Sequence, residues 1–127
     1  MQELAGDVAP ARVSLTRHRP SCVVVSVSGC LDARSVDRVR AELEPHPAPG
    51  TDVLVADWSG VSFCSVEGVR LLLDLRARAR KVDVPLPLVA RSLAVCRPLE
   101  VLGLSGEFRR FDDRTSALRA FACRDDG

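Results

Sequence analysis

Strand-like and helix-like segments alternate along this chain. Residues 22–28 and 52–58 are rich in β-branched and apolar residues, which is the pattern of strands buried on both faces. Each of these runs is followed by a segment whose apolar residues recur at the spacing of an amphipathic helix. Strands that alternate with helices predict an α/β domain with a largely parallel sheet.

Three weaker segments complete the predicted sheet. Residues 11–17 alternate weakly between apolar and polar and predict an edge strand. Residues 86–90 predict a third buried strand, and residues 108–111 predict a short last one. The expected fold is therefore a mixed sheet of about four or five strands flanked by about four helices.

The helix expected at residues 66–80 is the most regular of the four. Its apolar face is predicted to consist of Val66, Val69, Leu72, Leu73 and Ala77. On the opposite face, Asp74 lies four residues from both Arg70 and Arg78, and this spacing predicts ion pairs within the helix. A short loop, residues 59–64, is expected to join this helix to the preceding strand.

The other three helices are recognised by their ends. Asp32 is expected to cap the first helix, which ends in the proline-rich residues 44–50. The third helix, residues 92–102, contains Pro98, which predicts either a kink or a short turn with the helix proper beginning at the proline. Asp113 is expected to cap the last helix.

The length and composition fit one globular domain. The chain has 127 residues, of which 46% are hydrophobic, and 18 basic against 17 acidic side chains give a net charge of +1. This balance argues against a general nucleic-acid binder, and no apolar run approaches the ~20 residues of a membrane span. Residues 11–122 are predicted to form the domain, with loosely ordered termini at residues 1–10 and 123–127.

The cysteines and histidines predict neither a disulfide framework nor a metal site. The five cysteines form no Cys-x-x-Cys pair, and their number is odd. Neither His18 nor His46 has a cysteine close in sequence to complete a metal cluster. We therefore expect reduced thiols in a cytoplasmic protein that needs no metal or cofactor.

No arrangement of residues predicts an enzyme. The sequence contains no phosphate-binding glycine loop, no paired histidines and no serine in a nucleophile elbow. Cys64 has no histidine fixed beside it, so a packed thiol is preferred over a nucleophile. The chain is therefore expected to be non-catalytic.

Residues 57–68 are the most informative stretch, because they lead from the end of a buried strand into the first turn of a helix. In open α/β sheets, ligands and partners tend to act at the C-terminal ends of the strands. The free N–H groups of a helix N-terminus also favour a phosphate or a carboxylate. The alternative is structural: Ser65 caps the helix and Glu67 complements its dipole. The residues by themselves leave both interpretations open.

The same stretch resembles the STAS domain of bacterial anti-sigma factor antagonists. It reads Asp-Trp-Ser-Gly-Val-Ser-Phe-Cys-Ser-Val-Glu-Gly, where that family has Asp-Leu-Ser-x-Val-x-Phe-x-Asp-Ser-Ser/Thr-Gly. The positions that match in register are Asp57, Ser59, Val61, Phe63 and Gly68. Residues 27–32 resemble the family's Val-x-Gly-Glu-Leu-Asp turn with Cys30 in place of glutamate, and residues 99–104 resemble its Leu-Glu-Leu-Thr-Gly-Leu ending. The resemblance covers about residues 11–122.

This resemblance implies a protein-interaction function in the regulation of transcription. Members of the family bind an anti-sigma factor that is also a GHKL-type serine kinase, and they thereby release the sigma factor. The kinase inactivates the antagonist by phosphorylating a serine at the helix start, and a phosphatase restores it. By this resemblance, the residues expected to bind the partner are Asp32, Ser65, Val66, Glu67, Gly68 and Arg70.

The chain departs from the family at the phosphoacceptor. Counted back from Gly68, the acceptor position falls on Val66, which has no hydroxyl, and Ser65 supplies a hydroxyl one residue early. A kinase that positions its acceptor tightly loses most of its rate from such a shift, so the usual serine switch is expected to be absent. The alternative to a switch-free antagonist is a STAS module that binds a nucleotide or another anion in the same crevice.

Overall fold

A computed structural model of the chain describes residues 9–122, apart from the side chain of Ala122. Within these residues, the strands are β1 (Arg12–Arg19), β2 (Cys22–Leu31), β3 (Val53–Cys64), β4 (Leu88–Val89) and β5 (Arg110–Phe111). The helices are α1 (Val36–Leu43), α2 (Val66–Lys81), α3 (Leu93–Val101) and α4 (Arg114–Ala122), with a 3-10 turn at Ser105–Glu107. The predicted α/β fold class is confirmed. The expectation of loose termini falls mainly on residues 1–8 and 123–127, which lie outside the described residues.

The five strands form one mixed sheet in the order β1-β2-β3-β4-β5. β1 runs antiparallel to β2, whereas β2, β3, β4 and β5 are parallel to their neighbours. Each of α1, α2 and α3 connects two adjacent parallel strands, and right-handed connections place all three on one face of the sheet. The larger core lies on that face, and a smaller core with Ala117 and Phe121 of α4 covers part of the other. Both faces of the central strands are therefore buried.

β2 and β3 are longer than predicted, and the added segment of each strand pairs with the added segment of the other. β2 continues past Gly29, and β3 includes residues 59–64, which were wrongly predicted to be a loop. The added segments pair in parallel, beginning at Ser28 of β2 and ending with Leu31 opposite Cys64. Each extension supplies hydrogen-bond partners for the backbone of the other. That pairing depends on two separate segments, so the local pattern of either one does not predict it.

Gly29 allows β2 to continue instead of stopping. Its φ is +89°, in the left-handed region that favours glycine. A Cβ atom at this position would lie 2.2 Å from the carbonyl oxygen of Pro10. The chain before β1 approaches this closely because the Cys30 N–H donates to the Ala9 carbonyl at 3.0 Å. The glycine therefore permits a close crossing of two backbone segments.

β4 is shorter than the predicted strand at residues 86–90, because prolines precede it. The carbonyl oxygens of Pro85 and Pro87 accept hydrogen bonds from the N–H groups of Leu54 and Ala56, at 3.1 and 2.9 Å. Proline has no N–H to donate in return, so β3 donates hydrogen bonds to these two residues but receives none from their nitrogen atoms. β5 is likewise only two residues long.

The buried face of α2 differs from the predicted one. Val66 and Ala77 are exposed and Leu73 is only half-buried, so these three assignments were wrong. The residues that α2 buries are Gly68, Val69, Leu71, Leu72, Leu75 and Ala79. The helix is turned so that Gly68 lies against the sheet, and this orientation leaves Val66 facing outward.

The charged residues of α2 contact α1 instead of one another. Asp74 forms an ion pair with Arg40 of α1, and Arg78 donates to the carbonyl oxygen of Leu43 at 2.9 Å. Among residues 9–122, no ion pair joins Asp74 to Arg70 or Arg78, so the predicted pairs were wrong. Asp74 and Arg78 therefore have their partners on α1 and not within α2.

α3 is a single helix that passes through Pro98. It begins at Leu93, so the alternative in which the helix starts at the proline was wrong. Gly103 follows its end with a φ of +73°, and the Leu104 N–H donates to the Leu99 carbonyl at 2.7 Å. This is the hydrogen bond of a Schellman C-terminus, which the glycine makes accessible.

The first turns of α1 and α4 differ in how they are capped. Asp113 caps α4 as predicted, since its Oδ1 accepts the Ser116 N–H at 2.7 Å. Asp32 does not occupy the N-cap of α1; Ser35 does. Instead, Asp32 Oδ1 accepts the N–H groups of Arg34 and Ser35, at 3.0 and 3.2 Å, in the turn that precedes the helix. The prediction for Asp32 was wrong because this turn adds three residues before the helix begins.

Neither a disulfide nor a membrane-spanning helix is found among the described residues. Cys22, Cys30, Cys64 and Cys96 are not joined to one another, and Cys123 lies outside the described residues. None of the helices within residues 9–122 is long and apolar enough to cross a membrane. The same residues contain no group of His, Cys, Asp and Glu side chains arranged to hold a metal ion.

Candidate functional site

The C-terminal ends of β2 and β3 meet at the start of α2. Leu31 pairs with Cys64 at the end of the ladder, and the Ser65 N–H donates to the Leu31 carbonyl at 2.9 Å. Asp32, the next residue after β2, therefore lies beside the first turn of α2. The fold thus brings the residues predicted to bind a partner to one end of the sheet.

Ser65 is the N-cap of α2, and its hydroxyl is already in use. Its Oγ accepts the Gly68 N–H at 3.2 Å, and its backbone is extended with φ of −80° and ψ of 177°. This is the capping role that the sequence allowed. Ser65 is half-buried, and its predicted role in partner binding stays a prediction.

Gly68 serves the packing of the helix and does not form part of the surface. It is buried, and a Cβ atom there would lie 2.8 Å from Cys64 Sγ and 3.1 Å from Leu31 Cβ. Cys64 itself is 6% exposed, and burial raises the pKa of its thiol to about 11. The thiol therefore stays protonated at neutral pH, as expected of a packed cysteine and not of a nucleophile.

Exposed side chains surround this junction of strand and helix. Val66 is 53% exposed and Phe63 is 51% exposed, so two apolar side chains three residues apart face solvent. Glu67 and Arg70 are exposed on the first turns of α2. We call these four residues, together with Asp32, the junction surface. Phe63 was matched to a motif but was not predicted as a site residue. Strict alternation would place it on the buried face with Val61, but the register of β3 against β2 shifts between Val61 and Phe63, and Phe63 is exposed.

Asp32 contributes a negative charge to the junction surface. Partial desolvation acts to raise the pKa of its carboxyl, but the N–H groups of Arg34 and Ser35 outweigh this effect and lower the pKa. The Cys30 thiol donates to its second oxygen, Oδ2, at 3.6 Å. The carboxylate is therefore ionised and held in a fixed orientation at neutral pH.

A buried ion pair lies in the middle of β3, between Asp57 and Arg114 at the start of α4. Asp57 is 7% exposed, and its Oδ2 accepts Nε and Nη2 of Arg114 at 3.0 and 2.7 Å. Its Oδ1 accepts the Ser59 hydroxyl at 2.6 Å, and Arg114 also donates to Ser26 Oγ at 2.9 Å. Burial acts to raise the pKa of Asp57, but the hydrogen bonds from Ser59 and Arg114 outweigh burial and lower it. Sequence reasoning did not identify Arg114, because a partner 57 residues away leaves no local signal.

Comparison with protein families assigns the chain to a class. The family model described as "Mlab, STAS domain" matches residues 14–111, which is most of the chain. The chain belongs to the STAS domain family. The resemblance inferred from the motifs is thereby confirmed. No curated protein sequence gives a significant match.

Solved structures with the same fold include anti-sigma factor antagonists. An anti-sigma factor antagonist from Mycobacterium paratuberculosis is 26% identical with a TM-score of 0.77, over 89% of this chain and 97% of that one. A serine-to-glutamate variant of RsbS from Moorella thermoacetica is 21% identical with a TM-score of 0.73, over 91% and 99%. The anti-sigma factor antagonist SpoIIAA in its unphosphorylated form is 20% identical with a TM-score of 0.69, over 86% and 96%. At these last two identities the likeness concerns the fold alone.

Proposed function

We propose that this chain is a non-catalytic interaction domain that acts in the cytoplasm. It binds an anti-sigma factor of the GHKL-type serine kinase class through the junction surface. Phosphorylation of a serine does not control this binding. The kind of protein is supported by the family and by the antagonists that share its fold. The observation that carries the rest of the proposal is Val66. It occupies the family's phosphoacceptor position as an exposed apolar side chain without a hydroxyl.

The neighbours of Val66 do not replace the missing acceptor. Ser65 precedes it and uses its hydroxyl to cap α2, and Glu67 follows it without a hydroxyl. One residue along a helix corresponds to a rotation of about 100°, so a shifted hydroxyl points in a different direction. Phosphoryl transfer requires the acceptor oxygen in line with the phosphate, so we expect a hydroxyl displaced by one residue to be a poor acceptor.

The junction surface has the composition of a protein interface. Val66 and Phe63 supply an exposed apolar centre, and Asp32, Glu67 and Arg70 supply charges of both signs around it. Interfaces commonly combine an apolar centre with a polar rim. A phosphate at the centre of such a surface would oppose binding by desolvation and charge repulsion. Because Val66 accepts no phosphate, we expect binding that is not interrupted by the kinase activity of the partner.

The test is a binding titration with a purified GHKL-type anti-sigma factor kinase from the same genome, by calorimetry. Val66→Glu places a charge in the apolar centre and is expected to weaken binding by about tenfold or more. Val101→Glu is the matched control, because Val101 is also an exposed helical valine, 73% exposed, but lies on α3. Equal affinities for both variants and the wild type would place the interface elsewhere.

The charged rim provides an independent test of the same surface. Glu67→Lys and Arg70→Glu are expected to weaken binding while leaving the melting temperature nearly unchanged, since both side chains are exposed. Arg97→Glu, on the exposed side of α3, is the matched control for the change of charge. Unaltered binding by both rim variants would contradict the assignment of the surface.

A further inference from the structure

We propose a second binding site, independent of the junction surface: a basic groove at the opposite end of the sheet binds a short acidic segment of another protein. The groove has a volume of about 350 Å³, at the lower end of the range for ligand-binding clefts. It lies where the chain enters β4 and β5, beside the C-terminal half of α2 and the end of α4. The junction surface lies at the C-terminal ends of β2 and β3. Because β2, β3, β4 and β5 run parallel, the two sites are at opposite ends of the sheet.

The least exposed part of the groove, its floor, is apolar. Pro85 and Leu86 line it before β4, Phe108 lines it before β5, and Phe121 lines it from the last turn of α4. Phe108 and Phe121 are buried, and Pro85 and Leu86 are half-buried. A small hydrated anion gains nothing from such a floor, whereas an apolar side chain that covers it is removed from water. The floor therefore favours a ligand that has apolar as well as charged groups.

The charged residues of the groove are mostly cationic. Arg76 and Arg80 lie four residues apart on α2, so they share one side of the helix. Arg109 joins them from the segment that leads into β5. Against these three guanidiniums, the described lining contains one carboxylate, that of Glu107. The whole chain is close to neutral, so this excess of positive charge is local to the groove.

Two of the three guanidiniums have no carboxylate partner within residues 9–122. Arg76 Nη2 donates to Glu107 Oε1 at 2.7 Å, and this pair neutralises one arginine. The exposed side chains of Arg80 and Arg109 form neither an ion pair nor a hydrogen bond with the described residues. Like charges along one groove repel each other. A ligand that carries carboxylates relieves this repulsion and forms charge-assisted hydrogen bonds with both side chains.

Aromatic rings hold Arg109 in place without neutralising it. Its Cζ atom lies 5.3 Å from the ring centroid of Phe111 and 5.0 Å from that of Phe121. The two rings contact each other edge to face, with their centroids 6.1 Å apart. A cation–π contact orients a guanidinium but leaves its N–H donors available to a carboxylate. The donor is therefore ordered before the ligand binds, which reduces the entropy that binding costs.

An acidic peptide segment matches this combination better than a nucleic acid does. Its Asp or Glu side chains pair with the two free guanidiniums in bidentate geometry, and an apolar side chain between them covers the floor. A nucleic acid binds through many phosphate contacts, whereas the described groove offers two free cations. The charge and the apolar area of the groove therefore both favour a protein segment with carboxylates beside apolar residues.

The test is a titration of the isotope-labelled full chain with the synthetic peptide Glu-Leu-Asp-Glu-Leu-Asp, followed by amide chemical shifts at constant ionic strength. We expect saturable shifts at Leu86, Phe108 and Arg109, with the amide of Val66 on the junction surface unchanged. The same peptide with serine in place of leucine should bind more weakly, and a version with lysine in place of the acidic residues should not bind. Tighter binding of inorganic phosphate or of a single-stranded oligonucleotide at these residues would overturn the proposal.

Two variants with opposite expected effects decide whether the groove is the site. Arg80→Gln should weaken binding of the peptide by about tenfold, because it removes a charge-assisted contact. Arg97→Gln is its control, since it removes the same charge from an exposed position on α3, outside the groove. Glu107→Gln should strengthen binding by about threefold, because it frees Arg76 for the ligand. Glu100→Gln is the control for this change, since it removes a carboxylate from α3.

Three results would contradict the proposed groove. The first is the absence of saturable shifts with the acidic peptide at about 5 millimolar. The second is equal weakening by Arg80→Gln and Arg97→Gln, and the third is equal strengthening by Glu107→Gln and Glu100→Gln. Either equality would show that the peptide responds to the net charge of the chain and not to this groove.

Discussion

The guanidinium of Arg114 reaches the buried carboxylate of Asp57 at 2.7 Å and joins the start of α4 to the middle of β3. The same carboxylate holds the Ser59 hydroxyl at 2.6 Å, so one side chain organises both the strand extension and the last helix. Asp57 belongs to β3, the strand that leads into α2 and the junction surface. The contact between Asp57 and Arg114 therefore ties the last helix to the strand from which the junction surface begins.

The first prediction concerns the strength of that contact. Asp57→Asn keeps the shape of the side chain but removes its charge, and we expect it to lower the free energy of unfolding by about 2 kcal/mol, since hydrogen bonds to charged groups are the stronger class. Urea denaturation measures the change. Asp112→Asn is the control, because its carboxylate is 64% exposed and its pair with Arg110 should contribute less than about 0.5 kcal/mol. Equal effects would show that burial of Asp57 adds nothing.

The second prediction is the dependence of stability on acid. The pKa of Asp57 is lower in the folded chain than in the unfolded one, so the unfolded state takes up a proton first as the pH falls. The contribution of Asp57 is therefore complete above its unfolded pKa of about 3.9 and is lost below it, as the pH falls through the folded pKa. The slope of unfolding free energy against pH below about pH 4 should be shallower in Asp57→Asn. An unchanged slope would mean that Asp57 does not titrate differently in the two states.

The third prediction tests the close packing of α2. Gly68→Ala adds a Cβ atom 2.8 Å from Cys64 Sγ, and we expect a loss of about 1–3 kcal/mol although alanine favours helices. Gly106→Ala is the control, since no atom lies within 4 Å of the added Cβ. The double variant with Cys64→Ala should recover part of the loss, because it removes the atom in contact. A stable Gly68→Ala would show that the helix can move away.

The fourth prediction compares two serine N-caps. Ser65→Ala removes the hydrogen bond to the Gly68 N–H and should lower stability by about 1 kcal/mol. Ser92→Ala removes a buried hydroxyl without a partner among the described residues, so the stability of this variant should be unchanged or slightly higher. Thermal denaturation of the two variants measures the difference. A loss of stability in Ser92→Ala equal to that in Ser65→Ala would show that Ser92 caps α3 in solution.

The fifth prediction concerns phosphorylation. Incubated with a GHKL-type anti-sigma factor kinase and ATP, the wild-type chain should take up little or no phosphate at residues 65–67, because Ser65 is engaged in capping. Val66→Ser restores a hydroxyl at the family's position and should accept phosphate, at a rate limited by Ser65, where the family has aspartate. Mass spectrometry locates the modification. Efficient phosphorylation of wild-type Ser65 would contradict the loss of the switch.

The periodic patterns of the sequence determined the central elements and the family. The apolar runs of β2 and β3, the helical spacing of α2 and the cap at Asp113 are local signals, and each forms an element of the structure. The motif at residues 57–68 also predicted where the candidate partner surface begins. These features depend on residues near one another in the chain, so the sequence contains what is needed to predict them.

Only the tertiary structure decided how separate segments meet. The extension of β3 through residues 59–64 exists because β2 pairs with it. Asp74 forms its ion pair with Arg40 of α1 and not with an arginine of its own helix. The turning of Val66 toward solvent and the pairing of Asp57 with Arg114 likewise depend on which faces pack together. Hydrophobic periodicity describes one segment at a time, whereas register, close approach and ion pairing are properties of two segments in contact.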